Sequence, residues 1–230
     1  MKVSFLIAAH NEEATIREVL DRIRTLELDA QIIVVDDGSK DGTAEAVEHW
    51  RAKHGGVTLL RQAPSGKGAA IRRALAHAAG EITVIQDADM EYDPTDVPSL
   101  IEPIERGVAD VVFGSRLLGG RPQRAYLFWH LVGNRLLSFL TNVLYNTTIS
   151  DMETGYKAFR TEALRSFRLT HDDFAIEPEL TGEACRRGLR IYQVPIAYYG
   201  RTYAEGKEIT WRDGVKAALV LAQVRIRRAS

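Results

Sequence analysis

Two carboxylates one residue apart, Asp87 and Asp89, close the apolar run Ile82-Thr83-Val84-Ile85. A hydrophobic strand that carries acidic groups to its carboxyl end gains nothing for a core, because an ionised carboxylate away from water is costly unless paired. Alternate residues of a strand point the same way. Asp87 and Asp89 are therefore expected to converge, and to repel each other unless a cation lies between them. A hard divalent ion bridging carboxylate oxygens and a diphosphate meets that need. The competing explanation is an acidic turn after a strand, and for an isolated Asp-x-Asp it is the stronger one. The other polar clusters of the chain decide between the two.

Those clusters require elements to position them. Residues 3–9 read as a buried strand and 12–26 as a helix. A second strand over 31–35 ends in Asp36-Asp37-Gly38-Ser39, and Asp41 or Thr43 can cap the helix that runs to about residue 53. A third strand over 57–60 leads through Pro64-Ser65-Gly66-Lys67-Gly68 into an alanine-rich helix over 67–79. The fourth strand, 81–85, carries the acidic pair; a helix over 95–106 and a strand from 110 to 113 follow. Alternation of this kind predicts an α/β fold, a mostly parallel sheet with helices on both faces. Such sheets bind ligands at the carboxyl ends of their strands, which is where Ala8-Ala9-His10-Asn11-Glu12, Asp36-Asp37, Gly66-Lys67 and Asp87-Ala88-Asp89 all fall. Gly66-Lys67-Gly68 is not a Walker A loop, because the preceding glycine spacing is wrong.

At 230 residues the chain is long enough for one well-buried domain. Its formal net charge of −1 gives no nucleic-acid signature. A single cysteine, Cys185, excludes an internal disulfide framework and a cysteine-rich metal site, and fits a reducing compartment. The first apolar run is cut by His10-Asn11-Glu12-Glu13 too early for a signal peptide. No uninterrupted apolar run reaches the roughly 18 residues of a membrane span.

Taken together, these motifs resemble the family 2 glycosyltransferases of the GT-A fold, and within them the polyprenyl-phosphate (dolichyl-phosphate) mannose and glucose synthases. Further matching stretches are Gly114-Ser115-Arg116, Asp151-Met152-Glu153-Thr154-Gly155-Tyr156-Lys157, Glu177-Pro178-Glu179-Leu180 and Glu205-Gly206-Lys207. The resemblance implies a nucleotide-sugar donor, a Mg²⁺ or Mn²⁺ ion and a single GT-A domain over residues 1–230. Residues 1–116 would form its nucleotide-sugar half and 117–230 its acceptor half. It implies that Ala9, Asn11, Glu12, Asp37, Gly66, Lys67 and Asp87 line the donor site. It also implies that Asp87, Asp89 and Glu91 serve the metal, and that Arg116, Arg201 and Lys207 hold an acceptor phosphate. Glu91 stands where many relatives carry glutamine, and His130 stands where some carry a helical arginine.

The chemistry separates two acceptor types. A sugar hydroxyl must lose its proton, so its enzyme needs a carboxylate as general base. A lipid phosphate is already anionic and instead needs cations to bring it to an anionic donor. Asp89, Arg116 and Asp151 are the expected catalytic residues. Asp151 is open between a base, an orienting partner for the acceptor's cations, and a simple helix cap or turn.

Residues 125–149 are rich in Leu, Phe, Trp and Tyr, while His130, Asn134, Ser138, Asn142 and Asn146 recur every four residues and give a helix one polar stripe. This pattern predicts an amphipathic helix in a bilayer interface; a core helix is the alternative. A last helix from about 210 ends in Arg225, Arg227 and Arg228, suited to anionic head groups. The expected enzyme is a metal-dependent, inverting hexosyltransferase using GDP-mannose or UDP-glucose and a polyprenyl phosphate. It would be cytoplasmic and peripheral at the membrane face, with a membrane-anchoring partner or without one, and would bind no nucleic acid. The alternatives are a family 2 enzyme with a soluble or polysaccharide hydroxyl acceptor, a sugar nucleotidyltransferase, and a non-catalytic binding subunit.

Overall fold

The computed structural model describes residues 1–125, 127–202 and 211–227. Its centre is one seven-stranded sheet built from β1 (Val3–Ala9), β2 (Ala30–Asp36), β3 (Val57–Arg61), β4 (Ile82–Asp87), β5 (Val111–Ser115), β6 (Lys157–Arg160) and β7 (Ile191–Pro195), in the spatial order 3-2-1-4-6-5-7. All pairings are parallel except those of β6, which runs antiparallel between β4 and β5. The helices are α1 (Ile16–Arg24), α2 (Thr43–His54), α3 (Lys67–Leu75), α4 (Val97–Glu105), α5 (Phe128–Tyr145), α6 (Thr161–Arg165), α7 (Ile176–Arg186) and α8 (Trp211–Ile226).

Strand periodicity sorts the core into two layers. Phe5 and Ile7 of β1 join α1, α2 and α4 residues such as Val19, Trp50 and Leu100 on one face. Leu6, between them, joins Ile71 of α3 and Leu180 of α7 on the other. Strands buried on both faces read as continuous apolar runs, which is why β1, β2 and β4 are legible in the sequence.

After β1 the chain builds outward through β2 and β3, then returns to place β4 on the opposite side of β1. That reversal leaves a crevice at the carboxyl ends of β1 and β4, the usual ligand position in a doubly wound sheet. The helix after β1 starts later than the expected residue 12: Asn11 takes φ +56° and Glu12 accepts the Thr15 hydroxyl, so residues 12–15 turn before α1 begins. Asp41 does meet the first amide of α2, accepting the Thr43 N–H at 3.0 Å. The expectation ends its strand list at residue 113, whereas β6, α6, α7 and β7 follow. β6 has only four residues and opens on the fully buried Lys157, and β7 lies at the sheet edge, so neither presents an uninterrupted apolar run.

α5 is shorter than the expected span of 125–149 and has an inverted polarity. Its polar stripe faces the protein: Asn134 donates to Asp151, Ser138 accepts from Met152 N–H, and Asn142 exchanges two hydrogen bonds with Ile149. Leu137, Leu144 and Tyr145 pack on the core, but many of its large apolar residues are exposed, Trp129 to 78% and Phe128, Leu136, Phe139 and Val143 each near two-thirds. A core helix does the reverse. Among the described residues no helix is long and apolar enough to cross a membrane.

Candidate active site

A cleft of about 2110 Å³ opens at the carboxyl ends of β1, β2 and β4 and runs down to α5 and α8. Pockets for single small ligands span roughly 300–1,000 Å³, so this one has room for a large ligand or for two. Ala9, Asn11, Glu12, Asp37, Gly66, Lys67, Asp87, Asp89, Glu91, Arg116 and Arg201 all line it. Asp151 lies behind Arg116, fully buried. Lys207 lies outside the described residues, as do Tyr126, Glu205, Gly206 and Arg228.

The upper rim is tied together by its own polar groups. The Asp37 carboxylate accepts the backbone N–H groups of Ser65 and Gly66 at 2.8 and 2.7 Å and the Gln62 amide at 2.8 Å. It thus anchors the loop that leads into α3. Asn11 joins the ends of β1 and β2, receiving the Lys40 N–H at 2.8 Å on its side chain and donating its own N–H to Ser39. Gly66 has φ +98°, and a Cβ there would stand 2.5 Å from the Asp172 carbonyl oxygen, so the turn that presents Lys67 requires glycine.

Asp87 and Asp89 line the same cleft but are engaged by different cations. The strand ends at Asp87 and the chain turns at once, with Met90 at φ +61°, so the alternation on which the expectation rested stops between the two acids. Asp87 faces Lys67, Oδ1 to Nζ 2.7 Å. Lys67 also meets Glu177 at 2.9 Å, and Glu177 meets the buried Lys157 at 2.7 Å. Two lysines and two carboxylates thus alternate beneath the cleft, and burial is offset by this pairing: the lysines hold the Glu177 carboxyl below its usual range. Gly155 fits against this relay, since a Cβ would lie 2.8 Å from Asp87 Oδ2.

Asp89 has different partners. Its Oδ1 accepts the Glu91 N–H at 3.0 Å and its Oδ2 accepts from Arg201 at 2.6 Å. Burial, with Asp87 and Glu91 nearby, pushes its pKa up to about 7 against the pull of Arg201. Glu91 spends its carboxylate on the chain after β7, accepting from the Tyr198 hydroxyl at 2.8 Å and the Arg201 N–H at 2.7 Å. Among the described residues no three carboxylate, imidazole or thiol groups form a ready-made metal cage.

Arg116 enters from the end of β5. It binds Asp151 through its backbone N–H, Nε and Nη2, and its guanidinium lies 5.0 Å from the centre of the Tyr198 ring. Burial raises the carboxyl of Asp151, but Arg116 and Asn134 more than reverse this and hold it below the usual carboxylate range. Tyr92 stacks on Tyr156 and packs beside Tyr198, each pair with ring centroids 5.3 Å apart, giving the site an aromatic floor. Tyr92, Tyr198 and Glu153 line the cleft without having been expected there. For Tyr92 the position five residues after Asp87 was a usable signal, and for Glu153 its place in the stretch that begins at Asp151; Tyr198 is brought in by tertiary contacts alone.

The chain matches the model of glycosyl transferase family 2 over residues 4–168. Glycosyltransferase AglJ of Haloferax volcanii is 34% identical over 200 residues, covering 86% of this chain and 63% of that protein. The dolichol-phosphate mannosyltransferase of Pyrococcus furiosus is 29% identical, covering 90% of this chain and 59% of the relative. The chain therefore spans about three-fifths of the length of these two relatives. The undecaprenyl-phosphate mannosyltransferase of Micrococcus luteus is 28% identical, with 90% of this chain and 87% of that protein covered. Among solved structures, glucosyl-3-phosphoglycerate synthase from Mycobacterium tuberculosis, in complex with Mn²⁺, UDP and phosphoglyceric acid, superposes with a TM-score of 0.75 at 26% identity, covering 100% of this chain and 80% of that one.

Proposed function

The chain belongs to glycosyl transferase family 2, and from that premise we propose that it moves a hexose, mannose or glucose, from GDP-mannose or UDP-glucose to a polyprenyl or dolichyl phosphate, with inversion at the anomeric carbon. The observation that carries this reading is the continuity of one cleft from the strand ends to α5, where exposed apolar side chains such as Phe128, Trp129 and Leu136 line the same cleft as the charged groups. A water-soluble acceptor needs no such surface. A polyprenyl chain does, because its phosphate must enter the cleft while its hydrocarbon stays in lipid. Named relatives in dolichol-phosphate and undecaprenyl-phosphate mannosyl transfer support the same acceptor class.

In this reading residues 1–116 form the donor half and 117–230 the acceptor half of one domain. Ala9, Asn11, Glu12, Asp37, Gly66, Lys67 and Asp87 border the donor, and Asp87, Asp89 and Glu91 are the residues that would hold a divalent cation beside its diphosphate. The donor set fits Mg²⁺ or Mn²⁺: it is made of hard oxygens, it carries a buried excess of negative charge, and such ions are commonly held by one or two carboxylates with the remaining positions left to phosphate and water. The Mn²⁺ complex of the related synthase supports the same choice. When bound, the ion stabilises the charge that builds on the leaving diphosphate.

The protein's own groups do the rest. Arg116, fixed bidentately by Asp151, presents a preoriented cation to the acceptor phosphate, and Arg201 and Lys207 add further positive charge. Asp151 orients and is not a base: a carboxylate held below its usual range, with both oxygens engaged by Arg116 and Asn134, has little affinity for a proton. An anionic acceptor requires none. The enzyme would work at the cytoplasmic face of the membrane, with or without an anchoring partner.

Incubation with labelled GDP-mannose or UDP-glucose, Mn²⁺ and a short polyprenyl phosphate tests the assignment; organic extraction should recover labelled lipid. A second reading, a soluble phosphorylated acceptor, is favoured by the whole-chain likeness to the phosphoglycerate enzyme. Label found in an aqueous phosphorylated product, and none in lipid, would decide for it.

A further inference from the structure

Arg201 follows β7 in the chain and reaches back to the ends of β1 and β4. Its Nη2 lies 2.6 Å from Asp89 Oδ2, its Nη1 3.2 Å from Glu12 Oε1, and its Nε 3.8 Å from Glu91 Oε1. Three carboxylates from two strand ends thus surround one positive charge. The fit is loose for a guanidinium. Arg116 grips Asp151 with two side-chain bonds, whereas Arg201 gives each of two carboxylates one bond and leaves its Nε buried without a hydrogen-bond partner. The planar fork that makes arginine a strong carboxylate ligand is not used.

Arginine cannot shed its charge by losing a proton. It can leave these carboxylates only by moving. A divalent ion coordinated by Asp89 needs an oxygen that the guanidinium now holds, and two cations at contact distance repel strongly. We propose that Arg201 is an internal stand-in for the divalent cation, holding the Asp89 carboxylate while the donor site is empty and displaced from it when the metal arrives. The inference rests on the reading of Asp89 as a metal ligand given above. It explains how part of the negative charge of Glu12, Asp89 and Glu91 is offset without metal. It also gives Arg201 two successive partners, Asp89 first and the acceptor phosphate after displacement. Metal loading then frees the cation that the second anionic substrate needs.

The test uses Mn²⁺ alone, with two readouts. Electron paramagnetic resonance of free Mn²⁺ gives the affinity of the wild-type protein, R201Q and D89N. Modification by phenylglyoxal, read by mass spectrometry, reports whether Arg201 is accessible, with the exposed Arg106 as internal standard. Removing an internal competitor raises apparent affinity by the fraction of sites it blocked, so R201Q should bind Mn²⁺ at least about tenfold tighter than the wild type, and D89N should lose binding. In the wild type, Arg201 should react slowly without Mn²⁺ and faster with it, while Arg106 is unchanged. Equal or weaker Mn²⁺ binding by R201Q overturns the displacement, as does an Arg201 reactivity that saturating Mn²⁺ leaves unaltered. Either leaves the metal assignment standing if D89N loses binding; wild-type affinity in D89N overturns that assignment itself. Should R201Q fail to fold, the phenylglyoxal result on the wild type decides alone.

Discussion

Arg116 and Asp151, thirty-five positions apart, are joined by three hydrogen bonds of 2.7–2.9 Å, from the backbone N–H, Nε and Nη2 of the arginine. The carboxylate is fully buried and the guanidinium lines the cleft. Breaking such a pair from one side leaves a buried charge uncompensated, at about 3–5 kcal/mol. D151N should therefore lower stability by that order and abolish transfer together, because Arg116 loses its orientation. The pair also predicts a pH dependence. Asp151 has a lowered folded pKa, so its contribution is complete above the ordinary aspartate pKa near 4 and is lost as pH falls through the lower folded value. Urea unfolding of the wild type and D151N across pH 2–7 should show the difference between them shrink only at the acidic end.

Glu177 bridges Lys67 and Lys157 at 2.9 and 2.7 Å in a place where neither lysine can reach bulk water freely. E177Q keeps the shape and removes the negative charge between two cations. Loss of one partner in a buried network costs about 3–5 kcal/mol, and for a chain of this length each kcal/mol moves the midpoint by about 2–4 °C. A fall in Tm on the order of 10 °C is expected by calorimetry. Donor affinity should fall as well, since Lys67 also holds Asp87. An unchanged Tm would show that the relay is dispensable.

The parallel core was legible from the sequence because β1, β2 and β4 are buried on both faces and each ends in polar residues at the same sheet edge. Asp87, Asp89, Gly66 and Asn11 could be placed in one cleft by that rule alone. Their partners could not. Strand alternation ends at Asp87, and beyond the turn through Met90 the two acids meet different cations, Lys67 and Arg201. Glu91 lies near Asp89 in sequence, yet its carboxylate is claimed by Tyr198 and Arg201, more than a hundred residues away. The polar stripe of α5 was visible, but which way it faced depends on Asp151 and Met152 lying beneath it. Local periodicity sets the elements, and long-range pairing sets the charges at the site.

Glu153 lines the cleft with one carboxylate oxygen buried and without a partner. Burial pushes its pKa up to about 7, with Glu177 and Asp151 adding to the rise and Lys157 and Arg116 opposing it. The sign follows from linkage: the folded state holds this proton more tightly than the unfolded chain. The contribution of Glu153 to stability is therefore greatest below the ordinary glutamate pKa near 4.5 and is lost as pH rises through about 7. E153Q removes that dependence. Its Tm should match the wild type at pH 4 and exceed it at pH 8 by several degrees, an effect on the order of 1–3 kcal/mol. Parallel melting curves at the two pH values check this, and an equal gap at both would exclude titration of Glu153 as the cause.

Trp129 and Phe139 of α5 are 78% and 65% exposed, Trp129 at the lining of the cleft. Val215 and Leu219 of the neighbouring α8 are also more than half exposed. If this surface rests in a bilayer, W129E with F139E should lower partition onto vesicles while leaving the fold intact. Burying a large apolar side chain contributes about 1.5–3 kcal/mol, so each substitution should weaken binding by at least about tenfold. The same changes on a solvent-facing surface shift stability by only about 0.5 kcal/mol. Sedimentation with vesicles containing anionic lipid, paired with thermal melting, separates the two outcomes. Reduced partition at unchanged Tm supports a lipid surface. A lowered Tm would mean that the face packs against protein, and unaltered partition would place the membrane contact elsewhere on the molecule.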